Sequence, residues 1–287
     1  MSFDFSYTPS RGPSRNECAR LGREAVEISA RGDYVAPSGR RVDIASAVAA
    51  AVAGTRDYRP SMSVPPLVAS PRAASTRISV VNGTSLASAR SIAMRTGATP
   101  LVLNFASAKN PGGGFLNGAR AQEESLARAS ALYPTIVNSP MYAHHRAHGD
   151  CMYTSWMIYS PAVPVFRDDD TNALLEEPYA CAFLTTPAPN AGVVLERKPG
   201  RREEVDRVMA ERVTRVLAIA AAEGHRHLVL GAWGCGVFAN DPRVVARAFR
   251  GDLTGAYAGV FDEVVFAVLD WSDDRHFVRP FVEAFTS

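Results

Sequence analysis

The sequence predicts an α/β protein built on a largely parallel sheet, and three observations support this prediction. From about residue 75 onward, apolar strand-like runs alternate with amphipathic helical runs. Glycine-rich loops follow two of those strands. The chain has 287 residues and is 47% hydrophobic, which is enough to bury both faces of a sheet. We therefore expect helices to cover the sheet on both sides.

Residues 1–74 predict a helical accessory segment. Two runs have helical character: "ECARLGREAVEISARG" is amphipathic, and the alanine-rich "DIASAVAAAVAG" ends at Gly54. An irregular connector, "RPSMSVPPLVASPRAAS", follows them. The segment has too few large apolar residues for a core of its own, so we expect it to pack on the main domain, residues 75–287.

The main domain alternates strands and helices in two halves. In the first half, the strand "RISVVNG" precedes the helix "SLASARSIAMRTG", and the strand "TPLVLNFAS" leads through a glycine triplet into a single helix, "AQEESLARASALYPTIV". The second half runs through the helix "EEVDRVMAERVTRVLAIAAAEG", the strand "HLVLGAWG", the helix "PRVVARAFRGDL" and the strand "EVVFAVLD". This order of elements predicts parallel strands with crossover helices.

Composition narrows the class of protein. The formal charge of +2 is nearly balanced, so no global basic field calls for a nucleic acid. Four cysteines at long spacings form no CxxC pair, and no long apolar run or secretory signal occurs. These features predict a soluble, cytoplasmic protein with reduced thiols.

Two glycine-rich loops are expected at the carboxyl ends of strands, where parallel sheets collect ligands. They are Asn110-Pro-Gly-Gly-Gly114 and Gly234-Cys-Gly-Val-Phe238. Two such loops at one sheet edge could hold a diphosphate through backbone N–H groups. A glycine triplet alone is more often a flexible turn, and neither loop matches the P-loop or dinucleotide fingerprints.

Two adjacent carboxylates follow the first loop. Glu123 and Glu124 fall in the first turn of the next predicted helix. The side chains of consecutive helical residues point about 100° apart. One carboxylate can therefore reach a reacting centre, while the other binds a hydroxyl group or orients the first carboxylate. In isolation, such a pair is more often explained by complementarity to the helix dipole.

Together these motifs resemble the signature of poly(ADP-ribose) glycohydrolases. Gly112-Gly113-Gly114 is followed, after seven intervening residues, by Gln122-Glu123-Glu124. The runs "LNFASAKNPGGGFLNGARAQEESLAR" and "GAWGCGVFANDP" are similar to the bacterial branch of the family. The resemblance implies a macrodomain-like three-layer α/β/α fold with a mixed, largely parallel sheet and an N-terminal helical extension. It also implies binding of ADP-ribose and exo-type hydrolysis of the O-glycosidic link between ribose units of poly(ADP-ribose).

The resemblance also implies roles for individual residues. Glu124 would be the catalytic acid/base, while Glu123 would bind and orient the terminal ribose hydroxyls with support from Gln122. The backbone of Gly112, Gly113 and Gly114 would hold the ribose and diphosphate side of the ligand, and Asn110 would contact a hydroxyl. The second loop would bind phosphate, with the Phe238 ring on the terminal ribose; its members are Gly234, Cys235, Gly236, Val237 and Phe238.

In the implied hydrolysis, one carboxyl group would act first as a general acid and then as a general base. Glu124 would protonate the departing 2′-oxygen as an oxocarbenium-like cation develops on the ribose, and then take a proton from the attacking water. The sequence shows no second, well-separated carboxylate that must act as nucleophile. We therefore favour an oxocarbenium stabilised by the diphosphate of the substrate over a covalent intermediate.

Other polar and aromatic clusters are interpreted as structural. The histidines 144, 145 and 148, with Cys151, lack the partners of a zinc set and are interpreted as surface or substrate-channel residues. We interpret "RDDDTNALLEEP" as a solvated loop and the aromatic cluster around Trp156 as core, of which one ring could stack on adenine. Cys235, flanked by glycines, is interpreted as a small buried residue.

The partners expected are poly(ADP-ribose), ADP-ribose and ADP-ribosylated proteins. We expect a monomer with no metal, no cofactor and no membrane contact. Two alternatives remain: a macrodomain that only binds ADP-ribose, and a hydrolase of another ADP-ribosyl linkage. The intact Gln122-Glu123-Glu124 motif favours an enzyme, because a protein that only binds has no use for Glu124.

Overall fold

The computed structural model describes residues 2–4, 12–64 and 75–286, with backbone only for the first of these ranges. Parts of the predicted accessory segment, including part of the connector, lie outside the described residues. The strands are β1 (Ser2–Asp4), β2 (Asp33–Val35), β3 (Arg41–Asp43), β4 (Arg56–Tyr58), β5 (Arg77–Val81), β6 (Leu101–Phe105), β7 (Met157–Arg167), β8 (Leu174–Thr186), β9 (His227–Leu230) and β10 (Glu263–Ala267). The helices are α1 (Arg15–Arg31), α2 (Ala45–Gly54), α3 (Ser85–Thr96), α4 (Gln122–Ala129), α5 (Leu132–Ile136), α6 (Pro140–Ala147), α7 (Ala191–Arg197), α8 (Arg202–Ala222), α9 (Pro242–Thr254) and α10 (Arg279–Thr286).

The main sheet is mixed, with strand order β1-β5-β10-β9-β6-β8-β7-β4. The strands from β1 to β8 in that order pair in parallel, whereas β7 and β4 are antiparallel to their neighbours. The predicted mixed, largely parallel sheet is therefore confirmed. Its central strands place their carboxyl ends at one shared edge.

Helices cover both faces of the sheet, which confirms the three-layer architecture. In β6, Leu101 and Leu103 belong to the core cluster formed with α8, α9 and α10, whereas Val102 belongs to the cluster formed with α1, α2 and α3. This alternation follows from the two-residue period of a strand, in which successive side chains point to opposite faces. Both clusters are apolar and fully enclosed, as expected for a sheet buried on both sides.

The N-terminal segment contains both predicted helices, and it also supplies strands to the main sheet. β1 pairs with β5 at one edge and β4 pairs with β7 at the other. The helix α1 begins after the capping side chain of Ser14, ends at the left-handed Gly32 and packs against α4. The division of the chain at residue 74 stays a prediction.

One predicted helix is wrong in its extent. The run after the glycine triplet was expected to form a single helix, but α4 ends at Ala129 and α5 begins at Leu132. Between them Ser130 is extended, forms a β-bridge with Val165, and donates its hydroxyl proton to the carbonyl of Leu126 at 2.7 Å. Pairing with a distant strand has overridden the local helical pattern.

Candidate active site

A cleft of about 460 Å³ opens at the carboxyl edge of the sheet. Its walls come from the segments that follow four adjacent strands, β5, β10, β9 and β6. This is where helices begin and where unpaired backbone N–H groups favour anionic ligands. Seven of the residues predicted for the site line it: Gln122, Glu123, Glu124, Gly234, Gly236, Val237 and Phe238.

The glycine triplet forms a tight turn directly behind the two glutamates. Gly112 and Gly113 adopt φ values of +71° and +61°, a region that favours glycine. The turn is closed by a hydrogen bond from Gly113 N to the carbonyl of Asn110 at 2.9 Å. Gly114 N then donates to Oε1 of Glu124 at 2.9 Å. The triplet thus positions a carboxyl group.

Gln122 anchors the start of α4 to the sheet. Its side-chain oxygen accepts from Phe105 N at 2.9 Å, and its nitrogen donates to the carbonyl of Leu103 at 2.7 Å and to the Ser85 hydroxyl at 3.1 Å. Both partners on β6 are backbone groups that lie past Val102, where the pairing of β6 with β9 ends. Gln122 therefore supports the glutamates by fixing the helix that carries them.

Glu123 is 3% exposed, and hydrogen bonds reach both of its carboxyl oxygens. Oε2 accepts from Ser107 N at 2.7 Å, and the Asn104 amide lies 3.4 Å from Oε1. Burial raises the pKa of Glu123 to about 8, and the adjacent Glu124 adds to the rise, while these hydrogen bonds oppose it. The raised pKa favours the neutral form of the Glu123 carboxyl at neutral pH.

Glu124 is 8% exposed and is held at one oxygen only. Oε1 accepts the hydrogen bond from Gly114 N, whereas Oε2 is buried and has no hydrogen-bond partner among the described residues. Buried carboxyl oxygens are nearly always paired, so an unpaired one on the wall of a cleft marks a place for a ligand group. This oxygen is therefore free to accept a contact from a ligand group.

The second glycine loop forms the opposite wall. Gly234 has φ +73°, and Asn240 holds the loop by donating to the carbonyls of Gly234 at 2.9 Å and Pro189 at 2.8 Å. Val237 is 90% exposed, and the ring of Phe238 contacts that of Tyr153 with centroids 5.9 Å apart. Both side chains can pack on a ligand that enters the cleft.

Some predicted site residues do not line the cleft. Asn110 is exposed outside it, and Gly112, Gly113 and Gly114 support Glu124 from behind. Cys235 is buried, with its thiol 3.7 Å from the carbonyl of Trp233, and burial raises the pKa of this thiol. These positions shape the site without their side chains facing a ligand.

The histidine cluster, which was interpreted as surface or substrate-channel residues, differs from that interpretation at His145. His145 is buried rather than at a surface or in a channel. Its Nε2 accepts from Thr154 N at 3.1 Å and its Nδ1 lies 3.2 Å from the Ala108 carbonyl, so the proton sits on Nδ1. Burial lowers its pKa to about 4, and the neutral ring therefore ties the segment after β6 to the segment before β7. Within residues 12–64 and 75–286, no group of three or more potential ligands is placed to bind a metal ion.

The structure adds cleft residues that the sequence did not single out. Thr84, Asp169 and Trp271 line the cleft, and Asn104 stands behind Glu123, with its amide 3.1 Å from the Thr185 hydroxyl. The interpretation of the acidic run as a solvated loop is wrong for Asp169, which is half-buried and receives a hydrogen bond from Thr84 at 3.0 Å. A buried asparagine in an apolar strand was the signal that could have identified Asn104.

Replacing Glu123 by glutamine is expected to change how stability depends on pH. Between its ordinary pKa of 4.5 and its folded value of about 8, the unfolded chain loses a proton that the folded chain keeps. The free energy of unfolding of the wild type should therefore fall with rising pH in this window, by up to about 1.4 kcal/mol per pH unit from this group, and level off above it.

Denaturant unfolding at about pH 5, about pH 6.5 and about pH 8 measures this effect. The free energy of unfolding of Glu123→Gln, relative to that of the wild type, should increase as pH rises. The same comparison for the exposed Glu196→Gln should not change with pH. A constant difference at all three pH values would mean that Glu123 ionises normally in the folded protein.

Comparisons with known proteins identify the family to which the chain belongs. The family model for the microbial-type PARG catalytic domain matches residues 22–168. Among solved structures, poly(ADP-ribose) glycohydrolase from Thermomonospora curvata is 49% identical, with a TM-score of 0.90 over 94% of this chain and 100% of that chain. The same enzyme bound to the inhibitor ADP-HPD aligns over the same shares with a TM-score of 0.87 and 49% identity.

A second organism provides a further match. The Deinococcus radiodurans poly(ADP-ribose) glycohydrolase in complex with ADP-ribose is 42% identical, with a TM-score of 0.79 over 85% of this chain and 99% of that chain. No curated protein sequence is similar enough to count as a match. Among the described residues, no helix is both long and apolar enough to cross a bilayer. The predicted resemblance is confirmed: the chain belongs to the microbial-type poly(ADP-ribose) glycohydrolases, a family of hydrolases that act on poly(ADP-ribose).

Proposed function

We propose that this chain hydrolyses the ribose–ribose O-glycosidic bonds of poly(ADP-ribose) in the exo direction and releases ADP-ribose, with Glu124 as the general acid/base. The observation that carries the proposal is the buried, unpartnered Oε2 of Glu124 on the cleft wall. A single carboxyl in this position can deliver a proton to a departing oxygen and later recover one from water.

The reaction would proceed in two steps. Protonated Glu124 gives its proton to the departing 2′-oxygen as the glycosidic bond breaks and positive charge develops on the ribose. The resulting carboxylate then takes a proton from the water that attacks the ribose carbon, which restores the acid. Glu123, neutral at pH 7, adds no second negative charge beside the acid and can hydrogen-bond a ribose hydroxyl.

The cleft is large enough to hold one ADP-ribose unit. A volume of about 460 Å³ lies in the range of sites that hold one small ligand, consistent with one terminal ADP-ribose unit. Phe238 and Val237 supply apolar contacts on one wall, while the backbone of the second glycine loop supplies N–H groups for phosphate. We further propose that the enzyme is cytoplasmic and monomeric, that it needs no metal, and that it acts on ADP-ribosylated proteins.

Product analysis tests the direction of cleavage. Poly(ADP-ribose) of defined length, incubated with the wild-type protein, should release mainly ADP-ribose from the earliest time points while long chains persist. Early appearance of oligomers would show endo cleavage instead. Tight binding of ADP-ribose with no release of any product would favour the alternative of a protein that only binds, or of a hydrolase for another ADP-ribosyl linkage.

A further inference from the structure

A second cavity, of about 490 Å³, lies one aromatic ring away from the cleft. The ring is that of Tyr153, which contacts the ring of Phe238 on the cleft wall and also lines the second cavity. The other walls come from α8 and from the chain that follows β4. Tyr153 therefore joins the two cavities. The other polar residues that line the second cavity are Ser155, Glu211, Arg212, Thr214 and Arg215.

Arg212 is a buried cation whose hydrogen-bond partners are all neutral. Its side chain is 2% exposed, and its guanidinium donates to the carbonyls of Tyr153 at 2.8 Å and Pro187 at 3.0 Å, and to that of Met152. Its Nε is buried and has no hydrogen-bond partner among the described residues. Burial lowers the pKa of Arg212 to about 10, so the group is still cationic at neutral pH. A buried charge without a counterion favours an anion beside it.

Arg215 supplies a second cation to the same cavity. Residues three positions apart lie on one face of a helix, so Arg212 and Arg215 are neighbours along α8. One nitrogen of the Arg215 guanidinium donates to the carbonyls of Arg59 at 2.8 Å and Met62 at 3.1 Å. Its Nε, like that of Arg212, is buried and has no partner among the described residues. The bonds to the turn after β4 fix the position of this half-buried charge.

The acidic groups near the second cavity are engaged elsewhere. Glu211, which lines the cavity, pairs with Arg207 at 2.5 Å. Asp150, whose charge also acts on Arg212, lies 3.8 Å from Arg201. Among the described residues, no carboxylate forms a salt bridge with either arginine of the cavity. The cavity therefore has an excess of positive charge, which suits a phosphate group.

The residue between the two cavities is held in an unusual backbone conformation. Tyr153 has φ +54°, a region that residues with a side chain rarely adopt. Its N–H donates to the carbonyl of Asp150 at 3.2 Å, and its own carbonyl accepts from Arg212. Such a conformation persists only where the surroundings impose it, and it is concentrated at ligand sites. The cation of the second cavity thus also fixes the ring that faces the cleft.

We propose that the second cavity binds the diphosphate of the ADP-ribose unit that carries the departing 2′-oxygen, so that the polymer is held on both sides of the bond that breaks. This assignment rests on the proposed function, because it takes the ligand to be poly(ADP-ribose). Phe238 is expected to pack on the terminal ribose, so a chain that continues past this ring reaches Tyr153 and then the two arginines. Each phosphate of a diphosphate carries a negative charge that can pair with one guanidinium.

Steady-state kinetics on poly(ADP-ribose) of defined length test the proposal. Arg215→Gln should raise KM by about 5-fold to 20-fold and leave kcat within about twofold, because the contact is made equally in the ground state and the transition state. Affinity for ADP-ribose alone should stay within about twofold, since one unit fills only the cleft. Arg247→Gln, which removes an exposed arginine of α9 that lines neither cavity, should match the wild type.

Arg215→Lys separates anion binding from a structural role. Lysine keeps the positive charge but cannot reproduce the forked hydrogen bonds to the turn after β4, so KM should stay within about 3-fold of the wild type. An equal rise of KM in Arg215→Lys and Arg215→Gln would overturn the proposal, because the arginine would then serve only to hold that turn. An unchanged KM in Arg215→Gln would overturn it as well.

Titration of inorganic diphosphate into protein saturated with ADP-ribose distinguishes a free anion from the polymer. The wild type should bind this anion, and Arg215→Gln should bind it several-fold more weakly. Absence of binding to the saturated wild type would overturn the anion site. Weakened diphosphate binding with an unchanged polymer KM would mean that the cavity takes a free anion, and it would overturn the assignment to the polymer. Absence of polymer turnover in the wild type would instead overturn the proposed function.

Discussion

Glu124→Gln is expected to lower the turnover of poly(ADP-ribose) by about 10²-fold to 10⁴-fold, the contribution typical of a positioned general acid/base. The amide keeps the shape of the side chain and can still accept from Gly114 N, but it can neither donate an acidic proton to the departing oxygen nor take one from water. Affinity for ADP-ribose should change by less than about tenfold, since the product contains no bond that needs protonation.

The measurement combines initial rates on poly(ADP-ribose) with ADP-ribose affinity for the same preparations. Glu196→Gln removes an exposed carboxylate and should match the wild type in both assays. A folded Glu124→Gln protein that keeps more than about a tenth of wild-type turnover would remove Glu124 from the acid/base role. Should Glu123→Gln then prove the inactive variant, the two glutamates exchange roles.

The part of the site that the sequence predicted correctly is local in the chain. The strand β6, the glycine turn and the start of α4 lie between Leu101 and Glu124, and hydrogen bonds between them join groups 10 to 19 positions apart. Glycines, a glutamine and paired glutamates in this order carry information about both backbone shape and side-chain chemistry. The prediction that a glycine loop and a carboxylate pair share one sheet edge followed from those facts.

The parts that the sequence missed depend on contacts between distant residues. Thr84 and Asp169 are 85 positions apart. The turn between β7 and β8 is rich in Asp and Asn, which predicts a loop, but nothing in this turn sequence indicates that Asp169 reaches the cleft. The break at Ser130 likewise depends on pairing with Val165, and the strand β4 exists because β7 offers it an edge. Local patterns cannot reveal such partners, because the tertiary contact decides between a loop, a helix and a strand.

Gly113→Ala is expected to have the second large effect, although it changes no polar atom. The added Cβ would lie 2.3 Å from Oε1 of Glu124 and 3.1 Å from Oε2 of Glu123, at a φ of +61°. The Glu124 carboxyl must move, while that of Glu123 must yield by a few tenths of an ångström. Displacement of a catalytic group by about 1 Å is enough to cost roughly 10²-fold in turnover.

Gly39→Ala separates this clash from backbone strain. Gly39 has φ +85°, in the turn between β2 and β3, and its added Cβ would meet no heavy atom within 4 Å. That variant should lose about 1 kcal/mol of stability from the left-handed conformation and keep full turnover, whereas Gly113→Ala should lose turnover by far more than its stability loss explains. Equal turnover in the two variants, both folded, would show that the glutamates do not need the close approach of Gly113. Lower turnover in Gly113→Ala than in Gly39→Ala would show that glycine is required at position 113 because it leaves room for the two carboxyl groups.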